Sequence, residues 1–113
     1  MRVLLERVIE QAEEDGAKAQ AIRALYDEMK YRIPEITRSH YAIAAVDALF
    51  AKPIFRPGQF VELSRIPPGT ARRIIGELER SQVIRAYSEG RGSRPTVYEF
   101  RQLLEIVSGR GAA

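Results

Sequence analysis

The spacing of apolar positions divides the chain into helices first and strands second. Val3, Leu4, Leu5, Val8, Ile9 and Ala12 fall on one helical face, and after Asp15-Gly16 the period resumes through Ala19, Ile22, Leu25, Tyr26, Met29 and Ile33. The spacing therefore predicts a helical arm over residues 2–32, with Gly16 as a break between two helices or a weak point in one. Pro34 is expected to end it, because a proline pushes the residue before it out of the helical basin. Two apolar stripes on one arm need a surface to cover them. A second helix is expected from an N-cap at Ser39 through "HYAIAAVDALF" to Phe50, stopped by "AKP".

Beyond Pro53 the elements shorten. Ile54 and Phe55 read as a brief extended piece, and "PGQFVELS" as one or two helical turns with Phe60, Val61 and Leu63 inward. After the turn "RIPP", the segment "GTARRIIGELER" carries Ala71, Ile74, Ile75 and Leu78 at helical spacing. Arg72, Arg73 and Glu77 lie on its other side. "VIRAY" reads as a strand and "SEGRGSRP" as a loop. "TVYEF" alternates Val97 and Glu99 against Thr96, Tyr98 and Phe100, as a half-buried strand does. "RQLLEIVSG" closes as a short helix with a glycine stop. Helix, short helix, turn, helix, strand, basic loop, strand is the order of a winged helix-turn-helix. The expected fold is thus mainly α with a small antiparallel β wing. Residues 1–35 form the arm and residues 36–113 the winged-helix domain.

Composition narrows the class. The chain has 113 residues, 45% hydrophobic and 29% charged, in keeping with one globular domain rather than a disordered chain. It contains no cysteine, which excludes disulfides and cysteine-ligated zinc and fits a cytoplasmic location. No apolar run is long enough to span a membrane, and the acids near the start argue against a secretory signal. Charge is uneven: residues 1–50 carry 7 Lys/Arg against 9 Asp/Glu, and residues 51–113 carry 11 against 6. Ten of those eleven cations are arginine, whose planar fork suits phosphate oxygens and base edges.

Those cations mark the candidate contacts with double-stranded DNA. Arg72 and Arg73 flank the apolar stripe of the central helix, Thr70 lies in its first turn, and Arg65 lies in the turn before it. Arg91 and Arg94 lie in the glycine-rich loop. A solvated face with an Arg73–Glu77 pair at i,i+4 explains the helix equally simply, at ~0.3–0.5 kcal/mol. His40 reads as a surface residue near a helix start, with no second ligand spaced to join it on a metal. Tyr26, Tyr31, Tyr41, Tyr87 and Tyr98 read as half-buried core, and Glu13-Glu14-Asp15 as a solvated edge.

Three stretches carry a family resemblance: "SHYAIAAVDALFAKPIF", "FVELSRIPPGTARRIIGELERSQVI" and "GRGSRPTVYEF". In this order they resemble the C-terminal winged-helix module of Fic family proteins, over most of residues 37–107. "LLERVIEQAEEDGAKAQAIRALYDEMK" resembles the helices that close a Fic core. The resemblance implies a parent that transfers AMP or a related group to a protein hydroxyl through a His-Pro-Phe-x-(Asp/Glu)-Gly-Asn-Gly-Arg loop. That loop is absent here: the only histidine is His40, followed by Tyr41-Ala42, and there is no asparagine. The chain is therefore expected to be a non-catalytic accessory domain that binds no cofactor and no metal. Two departures stand out. Arg65 occupies a turn position where the family often has glycine, and Pro67-Pro68-Gly69 replaces the polar side chains that usually open its recognition helix. The alternative is a protein-interaction or dimerisation module that docks on a Fic core or a second copy through the arm and regulates the attached activity.

Overall fold

A computed structural model describes residues 16–88 and 95–108. The first apolar stripe, Val3 to Ala12, and the loop cations Arg91 and Arg94 lie outside the described residues. The described chain is mainly helical, with a small three-stranded antiparallel sheet.

Helix α1 spans Gly16–Thr37 and lays Ile22, Leu25, Met29, Ile33 and Thr37 on the core at helical spacing. It runs one turn past Pro34, contrary to the expected stop. Pro34 can donate nothing to the carbonyl four residues back, yet Ile33 and Thr37 on either side of it are buried and hold the last turn in place. Thr37 Oγ1 donates to the Ile33 carbonyl at 2.9 Å, and the helix ends at Arg38 in the left-handed region, φ 48°. Helix α2, Ala42–Ala51, starts later than expected. Ser39 Oγ accepts from the Tyr41 backbone N–H at 3.1 Å, so Ser39 shapes the turn before the helix rather than capping it. Asp47 is buried on α2 and accepts a 2.7 Å hydrogen bond from the Tyr26 hydroxyl, a polar pin between α1 and α2.

Strand β1, Ile54–Phe55, leads into helix α3, Pro57–Ser64, then helix α4, Pro68–Arg80. Strands β2, Arg85–Ser88, and β3, Val97–Glu99, precede helix α5, Arg101–Val107. The sheet order is β1-β3-β2, so the short piece at Ile54 is the third strand rather than a linker. Phe55 stands opposite Tyr98 with the rings stacked at 5.8 Å. The register between β2 and β3 shifts between Ala86 and Ser88, a bulge at Tyr87.

The alternation expected of "TVYEF" does not hold at its end: Glu99 is buried beside Phe100. As the end of the central strand, Glu99 stands opposite Arg85 and accepts from its Nε at 2.6 Å, which offsets much of the cost of burying the carboxylate. One hydrophobic core runs through the described residues. It joins Ile22, Leu25, Met29 and Ile33 of α1 to Phe50, Phe55, Phe60, Ile74, Leu78, Phe100 and Leu103. The second apolar stripe of the arm is thus covered by the chain's own α2, α4 and α5. No helix among the described residues is long and apolar enough to cross a membrane.

Candidate nucleic-acid interface

The turn between α3 and α4 decides how the arginines are presented. Arg65 ends α3 in the left-handed conformation, φ 60° and ψ 19°, and its N–H donates to the Val61 carbonyl at 2.8 Å. Ser64 Oγ accepts from the Ile66 N–H at 3.2 Å, and Ile66 is buried, which locks the reversal. Pro67 and Pro68 then open α4. Neither has an N–H, and the first N–H groups of a helix lack intrahelical partners in any case. The left-handed backbone at residue 65 favours glycine, yet an exposed arginine stands there.

Ala71, Ile74, Ile75 and Leu78 of α4 are buried as expected. At 100° per residue, the direction opposite that stripe is set by Gly69 and Arg80, with Arg73 about 30° to one side and, on the other, Gly76 at about 30° and Arg72 at about 70°. The two flanks face different neighbours. Arg73 turns toward α1, where its Nη1 donates to the Thr37 carbonyl at 3.2 Å and to Glu77 Oε1 at 2.7 Å. Arg32 of α1 reaches the other end of α4 and donates to the Ser81 carbonyl at 3.2 Å. Arg72 instead lines a hollow of about 570 Å³ with Arg56, Gln59 and Glu62 of the α3 segment and with Thr96 and Tyr98 of the β3 segment. The adjacent arginines of the sequence therefore separate, one tying helices together and one facing solvent.

Thr70 is half-buried in the first turn of α4. Two cations not singled out from the sequence stand on or beside the same two helices. Arg56 precedes α3, where its N–H donates to Gln59 Oε1 at 2.9 Å and its side chain is exposed. Arg80, one turn beyond Gly76, folds back so that a methyl group built on Gly76 would lie 3.5 Å from its Nη1. Arg80 was in principle legible, because it sits eight positions after Arg72. Arg56 was not, because only the fold brings the start of α3 beside the middle of α4.

Two arginines on the sheet and α5 are ion-paired. Arg85 pairs with Glu99 at 2.6 Å and Arg101 with Glu105 at 3.1 Å. Arg56, Arg65, Arg72 and Arg80 form no ion pair with a described residue, and the same holds for Arg23, Arg32 and Arg38 in and just after α1. Tyr98, at the edge of the hollow, has its phenol held above the ordinary value by burial and then by the negative charge of Glu79. No cluster of His, Asp or Glu able to hold a metal occurs among the described residues. Comparison with protein-family models, with curated proteins and with solved structures finds no match.

Proposed function

We propose that this chain is a winged helix-turn-helix module that binds duplex DNA through α3 and α4 and carries out no catalysis of its own. The order α2-β1-α3-α4-β2-β3, with a short turn between α3 and α4, supports that architecture. The observation that carries the DNA reading is the set of unpaired arginines along α3 and α4. Four exposed guanidinium groups at positions 56, 65, 72 and 80 lie on or flank two consecutive helices with no carboxylate bound to them among the described residues. Two others on the sheet and α5 are ion-paired. Unpaired arginines on an outward helix face suit a phosphate backbone.

The module would serve as an accessory domain of the kind that the Fic resemblance implies. The competing reading, a docking or dimerisation module, drew its support from the bare apolar arm and from the Pro-Pro-Gly opening of α4. Burial of Ile22, Leu25, Met29 and Ile33 in the chain's own core takes that half of the arm out of the argument. The deciding experiment replaces Arg56, Arg65, Arg72 and Arg80 together by alanine and measures duplex binding at low ionic strength. We expect binding to be lost in that variant and kept in one lacking the paired Arg85 and Arg101. Equal binding by both would overturn the proposal.

A further inference from the structure

We propose that Arg56 and Arg72 close on one and the same phosphodiester of the DNA backbone, a contact that rests on the duplex-binding reading and refines it. The two side chains come from different elements, one just before α3 and one in the second turn of α4, and they line the same hollow. Both are exposed, and neither forms an ion pair with a described residue. Two guanidinium groups around one hollow repel each other until an anion sits between them.

The charge balance selects the kind of anion. Glu62 lines the same hollow, so the lining residues Arg56, Arg72 and Glu62 together bring a net charge of one positive unit, and Glu79, whose charge reaches Tyr98, further disfavours a dianion. A phosphodiester carries one negative charge and balances it. A phosphate monoester, close to doubly charged at neutral pH, exceeds it and meets the carboxylate as well. Tyr98, a neutral phenol at physiological pH, and Gln59 line the hollow too and add hydrogen-bond donors for phosphate oxygens. Arg73, turned to Thr37 and Glu77, lies outside this arrangement.

Counterion release counts phosphates neutralised rather than arginines spent, which makes the sharing measurable. Duplex affinity is measured against salt for the intact chain, Arg56→Ala, Arg72→Ala and the double variant, each checked for folding by circular dichroism. If one phosphate is shared, the double variant lowers the slope of log K against log salt by roughly 0.9. The fold-losses of the two single variants then fail to multiply, departing from the product by more than about twofold. A slope reduced by roughly 1.8 with multiplicative losses assigns the arginines to separate phosphates and overturns the inference while leaving duplex binding intact. Steep salt dependence that neither substitution changes overturns it as well. Inorganic phosphate and a mononucleotide should compete only as salts do. Competition beyond that, abolished by Arg56→Ala, would assign the hollow to a free phosphate ester and also overturn the inference. Absence of duplex binding by the intact chain at low salt removes the inference together with the reading beneath it.

Discussion

Arg73 and Thr37 join two helices: the guanidinium Nη1 on α4 donates to the last carbonyl of α1 at 3.2 Å while it also meets Glu77 at 2.7 Å. The Thr37 carbonyl ends a helix, where intrahelical donors run out and a cation is favoured. About half of the Arg73 side chain remains exposed, so solvent weakens both contacts. Arg73→Ala should therefore cost about 1 kcal/mol in urea denaturation. It should change duplex affinity far less than Arg72→Ala. A variant as stable as the parent but unable to bind duplex would show that Arg73 leaves Thr37 to meet DNA.

At Arg65 the backbone and the side chain make opposite demands. Left-handed geometry costs a residue with a Cβ roughly 1–2 kcal/mol, and glycine gives part of that back as flexibility of the unfolded chain. Arg65→Gly should thus raise stability by about 0.5–1 kcal/mol and lower duplex affinity. Thermal melting and duplex titration on the same variant check both halves. A stabilised variant with unchanged affinity would remove Arg65 from the interface.

Tyr98 provides a reporter of the hollow. Burial and Glu79 favour its neutral form, so its folded pKa lies above the 10.0 of an ordinary phenol. With the folded value raised, the contribution to stability is complete below pH 10 and is lost as pH rises through the folded value. In a spectrophotometric titration the Tyr98 phenol should therefore ionise above pH 10. Tyr98→Phe should remove that step, and Glu79→Gln should move it lower without bringing it to 10, because burial remains. A difference between the parent and Tyr98→Phe titrations centred at or below pH 10 would contradict this environment.

Much of the helical frame could be read from periodicity, because Ala71, Ile74, Ile75 and Leu78, like Ile22, Leu25, Met29 and Ile33, mark faces that only a helix brings together. Pro34 misled because a local rule met a buried turn: Ile33 and Thr37 hold the helix across a missing hydrogen bond. Strand β1 has two residues, too few to show a period, and its role comes from pairing with β3 more than forty residues away. The site was half legible. Arg65 and Arg72 stand exposed beside the turn as the pattern implied, whereas the diversion of Arg73 depends on where α1 ends, and the approach of Arg56 on how α3 crosses α4.

The salt dependence of duplex binding tests the central claim most directly. If Arg56 and Arg72 share one phosphate, Arg65 and Arg80 meet others, and the loop cations Arg91 and Arg94 add a further contact, about four phosphates are neutralised. The slope of log K against log salt should then be roughly −3.6, from ~0.9 per phosphate. Fluorescence anisotropy of a labelled duplex, followed from low to physiological salt, supplies that slope. A value of roughly −3 to −4 that flattens when Arg56, Arg65, Arg72 and Arg80 are replaced is the result predicted here. No binding at low salt, or binding indifferent to salt and to those replacements, would contradict it.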